Sequence, residues 1–214
     1  MEFFNYYENL FKDRWPTLLE ALKGEGKAQE LRFGDALEPY YLDEASVFTA
    51  EALGVEPGMD VLDMCAAPGG KTLVIASKLM GLGSLQSNDR SPDRRNRLQN
   101  VIENTLPAEW RSIIKISGYD GVKFGLHKKE SYDRILLDAP CSSDRHVLAS
   151  PTHLAEWSSK RVKRLSVEQG SLLASAADAL RPGGTLIYST CALSPLENDE
   201  VVKKILKKRP SMQP

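Results

Sequence analysis

The amino-acid sequence predicts an α/β fold built on a doubly wound, mainly parallel sheet. From Asp60 onward, short apolar strands alternate with helical stretches, which is the pattern of a parallel sheet with right-handed helical crossovers. Turn sequences fall where such a fold needs them, at Glu56-Pro57-Gly58, Gly81-Leu82-Gly83 and Arg181-Pro182-Gly183-Gly184. The 214 residues are enough for one domain of this kind with an appendage.

The first part of the chain has a different pattern from the rest. Aromatic and leucine side chains recur at helical spacing in residues 1–34, and Pro16 is suited to open a second helix there. We therefore predict an N-terminal helical extension over residues 1–34 and one α/β domain over residues 35–214. The predicted strands of that domain are 61–64, 84–88, 113–117, 134–138 and 185–190. The predicted helices are 72–78, 92–103 and 166–180, with one more after Glu197.

Composition excludes several classes of protein. The chain has 28 basic and 29 acidic residues, so its net charge of −1 argues against a strongly basic nucleic-acid-binding tail. No apolar run reaches the ~18 residues of a membrane span. Three cysteines without a Cys-x-x-Cys pair predict neither a disulfide framework nor a metal site. We expect a cytoplasmic protein, because the acidic first 31 residues do not resemble a transit peptide; the mitochondrion is the alternative if such a peptide lies outside this sequence.

The segment after the first predicted strand is rich in small residues. It runs Asp63-Met64-Cys65-Ala66-Ala67-Pro68-Gly69-Gly70-Lys71-Thr72, and its small side chains let the backbone approach a ligand closely. The spacing fits neither a P-loop, which needs glycine where Cys65 stands, nor the G-x-G-x-x-G of dinucleotide folds. Asp89 after the second strand is placed to accept hydrogen bonds from ribose hydroxyls, and Asp120 after the third strand adds a second carboxylate at the same edge. These residues predict a nucleoside-containing ligand at the carboxyl ends of the strands.

Two cysteines and an aspartate follow the fourth and fifth predicted strands. Asp138 and Cys141 come at the end of the fourth strand, and Cys191 comes at the end of the fifth. In the common strand order 3-2-1-4-5 these strands are neighbours about 4.8 Å apart, so the three side chains should converge on one cleft. A cysteine is often just a small buried apolar residue, but two of them beside a carboxylate favour a thiolate nucleophile.

Three motifs resemble those of the Nop/Sun family of RNA cytosine-C5 methyltransferases. They are residues 63–72, Asp138-Ala139-Pro140-Cys141-Ser142 and Ser189-Thr190-Cys191-Ala192-Leu193-Ser194-Pro195-Leu196-Glu197-Asn198. Residues 41–46 also resemble the helix that leads into the family's first strand, and the similarity extends from about Tyr40 to Ile205. The resemblance implies a class I methyltransferase (Rossmann-like) fold, with S-adenosylmethionine as methyl donor and residues 35–214 as the catalytic domain.

The resemblance also implies roles for individual residues. The donor-binding residues would be Cys65, Ala66, Ala67, Pro68, Gly69, Gly70, Lys71, Asp89, Arg94, Asp120, Gly121 and Asp138. Cys191 would be the nucleophile, Cys141 would assist product release, and a protonated Asp138 would support charge at cytosine N3. Choosing Cys191 over Cys141 as the nucleophile rests on the resemblance alone, because DNA cytosine methyltransferases use the cysteine of the Pro-Cys motif.

The chain departs from the family pattern in two places. Many bacterial members follow Pro-Cys-Ser with Gly-x-Gly, whereas Ser143-Asp144-Arg145-His146 stands here, as in the branch of mitochondrial small-subunit rRNA and tRNA methyltransferases. The family domain also continues beyond the fifth strand's helix into an antiparallel strand pair, whereas this sequence stops at Pro214. The expectation is therefore a fragment, or a shortened enzyme whose sheet edge is open.

The implied reaction is methylation of cytosine C5 in RNA, with small-subunit rRNA as the preferred substrate and tRNA as the alternative. The target base must be flipped out or lie in a loop. Phosphate contacts are expected from two basic clusters, Lys160, Arg161, Lys163 and Arg164, and Arg90, Arg94, Arg95 and Arg97. A protein partner or a structured rRNA site would add affinity, and no membrane is involved. Two rival hypotheses stay open, a methyltransferase acting on proteins or small molecules and a non-catalytic RNA-binding ribosome-assembly factor.

Overall fold

In the computed structural model of the protein, which describes residues 2–24, 26–35 and 37–214, five strands form the main sheet and two more form a hairpin. The strands are β1 (Ala28–Leu31), β2 (Tyr40–Asp43), β3 (Asp60–Asp63), β4 (Ser84–Asn88), β5 (Ile114–Ser117), β6 (Tyr132–Asp138) and β7 (Leu180–Ser189). The helices are α1 (Glu2–Phe11), α2 (Trp15–Lys23), α3 (Glu44–Glu51), α4 (Gly70–Leu79), α5 (Pro92–Thr105), α6 (Ala108–Arg111), α7 (Phe124–His127), α8 (Asp144–Leu148), α9 (Pro151–Glu156), α10 (Ser159–Ala179) and α11 (Asp199–Lys208).

The main sheet has the order β5-β4-β3-β6-β7, and all of its pairings are parallel. In chain order this is 3-2-1-4-5, so the predicted fold class and strand order are confirmed. Its central strands are continuous apolar runs because both faces are covered: Val61, Leu62, Ile135 and Leu136 are fully buried. The register pairs Asp138 with Ser189, which sets the last residues of β6 and β7 side by side.

The described residues divide into two compact units. One consists of Met1–Glu25, Ala139–Ser171 and Thr190–Pro214, and the other of Gly26–Asp138 and Leu172–Ser189. We call them the helical unit and the sheet unit. Each is assembled from separated stretches of chain, so the boundary proposed at residue 34 stays a prediction.

In the sheet unit, α4 and α5 cover the strands. Leu73, Ile75 and Leu79 of α4 are completely buried, as is Leu98 of α5. Because α4 begins at Gly70, the packing of this helix fixes the preceding loop, residues 64–69, at the carboxyl end of β3.

In the helical unit, α1 and α2 carry an aromatic cluster. The ring of Phe3 lies 5.4 Å from that of Trp157, and the ring of Tyr7 lies 5.5 Å from that of Trp15. All four side chains are buried, and edge and offset contacts of this kind add to the apolar burial. The helical stripe at the start of the chain is therefore confirmed, with Pro16 in the first turn of α2.

Two local predictions are wrong. Residues 41–43 belong to β2, and the helix begins only at Glu44, where the Asp43 carboxylate accepts a hydrogen bond from the Ser46 backbone N–H at 2.8 Å. The predicted helix at residue 166 in fact starts at Ser159. The predicted turn at Arg181-Pro182-Gly183-Gly184 falls inside β7, where these four residues stand outside the pairing with β6 and Gly183 has a φ of 80°.

Within the part of the chain that the structure describes, no helix has the length and apolar character needed to cross a membrane.

Candidate active site

The loop between β3 and α4 is shaped by two glycines. Gly69 has a φ of 124°, a conformation that side-chain-bearing residues rarely adopt. A Cβ atom on Gly70 would lie only 2.6 Å from the Leu42 side chain, so β2 seats directly against the start of α4. The first backbone N–H groups of α4 have no partner within the helix, and the loop presents them at the carboxyl end of β3.

The remaining loop residues are held by the neighbouring strand and helix. The Ala66 N–H donates to the Asn88 carbonyl at 2.8 Å, and the Arg94 guanidinium donates to the Ala67 carbonyl. Ala66 and Ala67 are buried, and Pro68 is exposed. Burial raises the pKa of the Cys65 thiol, which makes Cys65 a poor thiolate and favours a packing role for it.

Asp89 lies just beyond β4 and is 4% exposed. Its Oδ1 accepts a hydrogen bond from the Ser91 N–H at 3.0 Å. Its Oδ2 is 3.0 Å from the Arg94 guanidinium as an ion pair, yet has no hydrogen bond of good geometry among the described residues. A buried carboxylate oxygen in this state is suited to accept a hydrogen bond from a ligand hydroxyl.

Asp120 and Gly121 follow β5 at the same end of the sheet. Asp120 Oδ1 accepts a hydrogen bond from the Val122 N–H at 3.2 Å, which caps the short 3-10 helix Gly121–Lys123. A Cβ atom on Gly121 would lie 2.7 Å from the end of the Leu172 side chain, so the backbone at Gly121 packs closely against α10.

Asn88 is a site residue whose role the sequence analysis did not identify. Its amide nitrogen donates to the carbonyls of Met64 and Tyr119, each at 3.1 Å. Its amide oxygen accepts from the Ser117 hydroxyl at 2.9 Å and from the Tyr119 N–H at 2.8 Å. One buried amide thus joins the ends of β3, β4 and β5. The one signal for this role in the sequence is the position of Asn88 at the end of a predicted strand.

Lys71 and Asp138 form an ion pair at 2.7 Å. Lys71 also donates to the Ser46 hydroxyl at 2.8 Å, and the Ser189 hydroxyl donates to Asp138 Oδ1 at 2.8 Å. Both carboxylate oxygens of Asp138 therefore accept hydrogen bonds, one from a cation and one from a hydroxyl. Lys71 and Asp138 were both expected in the site from the sequence, whereas their ion pair was not predicted.

In the helical unit, the two cysteines lie against each other. The sulfur atoms of Cys141 and Cys191 are 3.1 Å apart. The hydrogen bond with Cys191 and burial both raise the pKa of the Cys141 thiol, so Cys141 keeps its proton more tightly than an ordinary cysteine. A protonated Cys141 thiol can donate a hydrogen bond to the Cys191 sulfur, which favours Cys191 as the thiolate of the pair.

Two buried carboxylates connect the loop that contains Cys141 with the loop that contains Cys191. Asp144, three residues after Cys141, accepts a hydrogen bond from the Leu193 N–H at 2.8 Å. Glu197, which follows Cys191 in the chain, accepts one from the Ser142 N–H at 2.9 Å. Tyr7 of α1 donates to Asp144 at 2.7 Å. Each loop thus supplies an acid to the backbone of the other, which no sequence pattern had indicated.

Among the described residues, no group of three or more His, Cys, Asp and Glu side chains is arranged to hold a metal ion. The arrangement instead offers a glycine-rich loop with a buried acid in the sheet unit, and a pair of adjacent thiols in the helical unit.

Comparison with known proteins identifies a family. A family model described as "16S rRNA methyltransferase RsmB/F" matches residues 50–213. The chain is 41% identical over 174 residues to the 5-cytosine rRNA methyltransferase NSUN4 of Bos taurus, covering 78% of this chain and 44% of that protein. It is 40% identical over 179 residues to the mitochondrial tRNA (cytosine(34)-C(5))-methyltransferase of Danio rerio, covering 83% of this chain and 48% of the relative. The chain therefore spans about half the length of these relatives.

Solved structures agree in fold. The crystal structure of NSun6 from Pyrococcus horikoshii with SFG aligns with a TM-score of 0.68 and 32% identity, over 81% of this chain and 43% of that one. A methyltransferase homologue from Pyrococcus horikoshii has a TM-score of 0.74 at 24% identity, over 94% of this chain and 76% of that one, and supports the Rossmann-like fold alone. By its matching family model and these relatives, the chain belongs to the 16S rRNA methyltransferase RsmB/F family.

Proposed function

We propose that the protein is an S-adenosylmethionine-dependent RNA cytosine-C5 methyltransferase that acts through a covalent Cys191 intermediate. The observation that carries the proposal is the 3.1 Å contact between the sulfur atoms of Cys141 and Cys191. Family membership and the names of the relatives, which describe cytosine-C5 methylation of rRNA and tRNA, support the reaction class.

The sheet unit has a suitable binding site for S-adenosylmethionine, which would supply the methyl group. Buried Asp89 Oδ2 would accept a hydrogen bond from a ribose hydroxyl. Asp120 and Gly121 would contact the adenine ring of the donor. Arg94, which contacts both Asp89 and the Ala67 carbonyl, would hold the acid and the loop in fixed positions. The rest of the donor would lie along the loop formed by Cys65, Ala66, Ala67, Pro68, Gly69, Gly70 and Lys71.

Cytosine C5 is a weak nucleophile until a group adds at C6. In the proposed mechanism the Cys191 thiolate forms a bond to C6, which leaves C5 electron-rich enough to take the methyl group. Loss of the C5 proton and departure of the Cys191 thiolate then give 5-methylcytosine. Cys141, whose thiol keeps its proton, would assist this release.

The ion pair with Lys71 changes the role expected for Asp138. A carboxylate that accepts from Lys71 and Ser189 is suited to accept a further hydrogen bond from the exocyclic amino group of cytosine. We therefore propose this contact instead of a protonated Asp138 that supports N3.

Small-subunit rRNA is the proposed substrate, and tRNA is the second candidate because one relative is named for tRNA cytosine-34. A protein or structured rRNA partner would add affinity. We propose a cytoplasmic location, with the mitochondrion as the alternative that the named mitochondrial relative favours. Cell fractionation distinguishes the two compartments.

Trapping of the covalent intermediate tests the mechanism. With RNA and methyl donor, Cys141→Ala should accumulate protein covalently attached to RNA, because attack on C6 proceeds but release stalls. Cys191→Ala should give no adduct and no 5-methylcytosine. Denaturing gels with labelled RNA measure the adduct, and wild-type protein treated in parallel is the control. An adduct in Cys191→Ala would reverse the two roles, and full activity in both variants would exclude covalent catalysis.

A further inference from the structure

Ser143 has a backbone conformation that normally favours glycine. Its φ and ψ are both 55°, in the left-handed region. A residue with a side chain is strained there because its Cβ atom comes too close to the following carbonyl oxygen. Asn, Asp and Gly tolerate this region better than Ser. A serine held in this strained position, between Cys141 and the start of α8, points to a use for its hydroxyl.

That hydroxyl lies between the two thiols. Ser143 Oγ is 3.6 Å from the Cys141 sulfur, and the Cys191 thiol donates to it at 3.5 Å. Its own proton points to the Cys141 carbonyl across 3.4 Å, a long and weak contact. Distances near 3.5 Å are normal for hydrogen bonds to sulfur because the sulfur atom is larger than oxygen.

We propose that Ser143 is a positioning residue whose hydroxyl donates a hydrogen bond to the Cys191 thiolate. When Cys191 ionises, its proton passes to solvent and the Ser143 hydroxyl rotates from acceptor to donor. The rotation gives up only the weak contact with the Cys141 carbonyl, so little is lost. The negative sulfur then faces two donors, the Ser143 hydroxyl and the Cys141 thiol.

The surroundings in the helical unit keep the Ser143 hydroxyl in place. Asp144 is held by Tyr7 and by the Leu193 N–H, so the residue after Ser143 cannot shift along the loop. The charged and titratable groups around these loops within the unit are Cys141, Asp144, Glu197, Tyr7 and Arg161. Of these five, Cys141 is the one that contacts the Ser143 hydroxyl, and loss of that contact raises the pKa of the Cys141 thiol further. Alkylation of Cys141 and of Cys191 is therefore followed separately in each variant.

The ionisation of Cys191 is measurable without RNA or methyl donor. Iodoacetamide alkylates thiolates, and peptide mass spectrometry follows Cys191 separately from the other cysteines, with wild-type protein alkylated in parallel as the reference. Both Ser143→Ala and Ser143→Gly should move the pH midpoint of Cys191 alkylation upward by about one unit, so alkylation below the midpoint becomes about tenfold slower. The pH profile of methyl transfer should shift in the same direction.

The two variants separate the hydroxyl from the backbone. Ser143→Gly relieves the left-handed strain and should raise the melting temperature, whereas Ser143→Ala keeps the strain. A wild-type alkylation midpoint in Ser143→Gly would overturn the proposal and leave Ser143 a purely structural residue. The proposal rests on the proposed function only for its role in methyl transfer. If the wild-type protein forms no 5-methylcytosine but the Ser143 variants still shift the alkylation midpoint of Cys191, the proposed function is refuted. The role of the Ser143 hydroxyl in stabilising the Cys191 thiolate is then upheld.

Discussion

Asp63 is a carboxylate buried at the end of β3, with 1% of its surface exposed. Burial raises its pKa to about 7, although the Thr72 hydroxyl donates a hydrogen bond to Oδ2 at 2.7 Å and partly offsets that effect. An aspartate in the unfolded chain has a pKa near 3.9. The folded protein therefore holds this proton over a range in which the unfolded chain has released it.

The sign of the resulting pH dependence follows from that difference. Between about pH 4 and pH 7 the folded state binds more protons at Asp63 than the unfolded state, so this residue's contribution to stability falls as the pH rises. Asp63→Asn keeps an acceptor for Thr72 and removes the titration. The free energy of unfolding of the variant minus that of the wild type should increase by roughly 1–3 kcal/mol from pH 4 to pH 7. Above pH 7 this difference should stay constant. Urea unfolding at a series of pH values measures the difference.

Asp133 provides a matched control with the opposite shift. Its hydrogen bonds with Arg181 and with the Asp60 N–H lower its pKa, so its contribution is complete above about pH 4 and is lost only in more acidic solution. The stability difference between Asp133→Asn and wild type should therefore stay level from pH 4 to pH 7. A level difference for Asp63→Asn as well would show that Asp63 is ionised throughout.

At the scale of elements, α10 carries a glycine that its packing does not require. A Cβ atom on Gly170 would meet no atom within 4 Å, and the residue lies inside the helix Ser159–Ala179. Glycine within a helix costs about 0.5–1 kcal/mol relative to alanine because its unfolded state is more flexible. Gly170→Ala should raise the free energy of unfolding by about that amount, as read from urea denaturation.

The same substitution should have the opposite sign in α7. A Cβ atom on Gly125 would lie 2.5 Å from the Asp178 side chain and 2.9 Å from the Ser175 carbonyl oxygen. Gly125→Ala should therefore destabilise the protein, since the neighbour is helix backbone and cannot move away. A loss of stability in Gly170→Ala comparable to that in Gly125→Ala would mean that α10 is packed there after all.

The order of the sheet could be predicted from the sequence because strand and helix segments alternate along the chain and turn residues separate them. The hairpin of β1 and β2 could not, since Ala28–Leu31 shows only its last residue buried and Tyr40–Asp43 shows no buried residue. The start of α10 was missed because polar and charged residues from Ser159 to Arg164 hide the two buried side chains, Val162 and Leu165, that begin its apolar face.

For the site, sequence patterns identify strand-end residues and leave out the groups that orient them. Asp138 and Cys191 stand in recognisable motifs, whereas the Asn88 amide acts through contacts with residues more than twenty positions away. Tyr7 reaches Asp144 across 137 positions, and in the sequence it is one aromatic residue of an amphipathic helix. Such contacts depend on tertiary packing, which no local pattern encodes.

At the scale of the whole molecule, charge is balanced overall but uneven locally. The net charge is −1, yet the first turns of α10 hold Lys160, Arg161, Lys163 and Arg164, and α11 with the residue after it holds Lys203, Lys204, Lys207, Lys208 and Arg209. Both clusters belong to the helical unit, which also carries the thiol pair. RNA phosphates are attracted to such a local concentration of positive charge even when the whole protein is nearly neutral.

Removing exposed charge from α10 should weaken RNA binding in a salt-dependent way. Each phosphate contact releases counterions, so the logarithm of the binding constant falls with the logarithm of salt concentration by about 0.7 to 0.9 per contact. The double variant Lys163→Ala, Arg164→Ala should therefore lower this slope by about 1.5 and leave affinity for the methyl donor unchanged. Lys128→Ala with Lys129→Ala, two exposed lysines of the sheet unit, removes the same charge and should leave the slope near wild type. Filter binding over a salt series measures the slopes. A wild-type slope in the α10 double variant as well would mean that this part of α10 is a solvated helix face and that RNA contacts other residues.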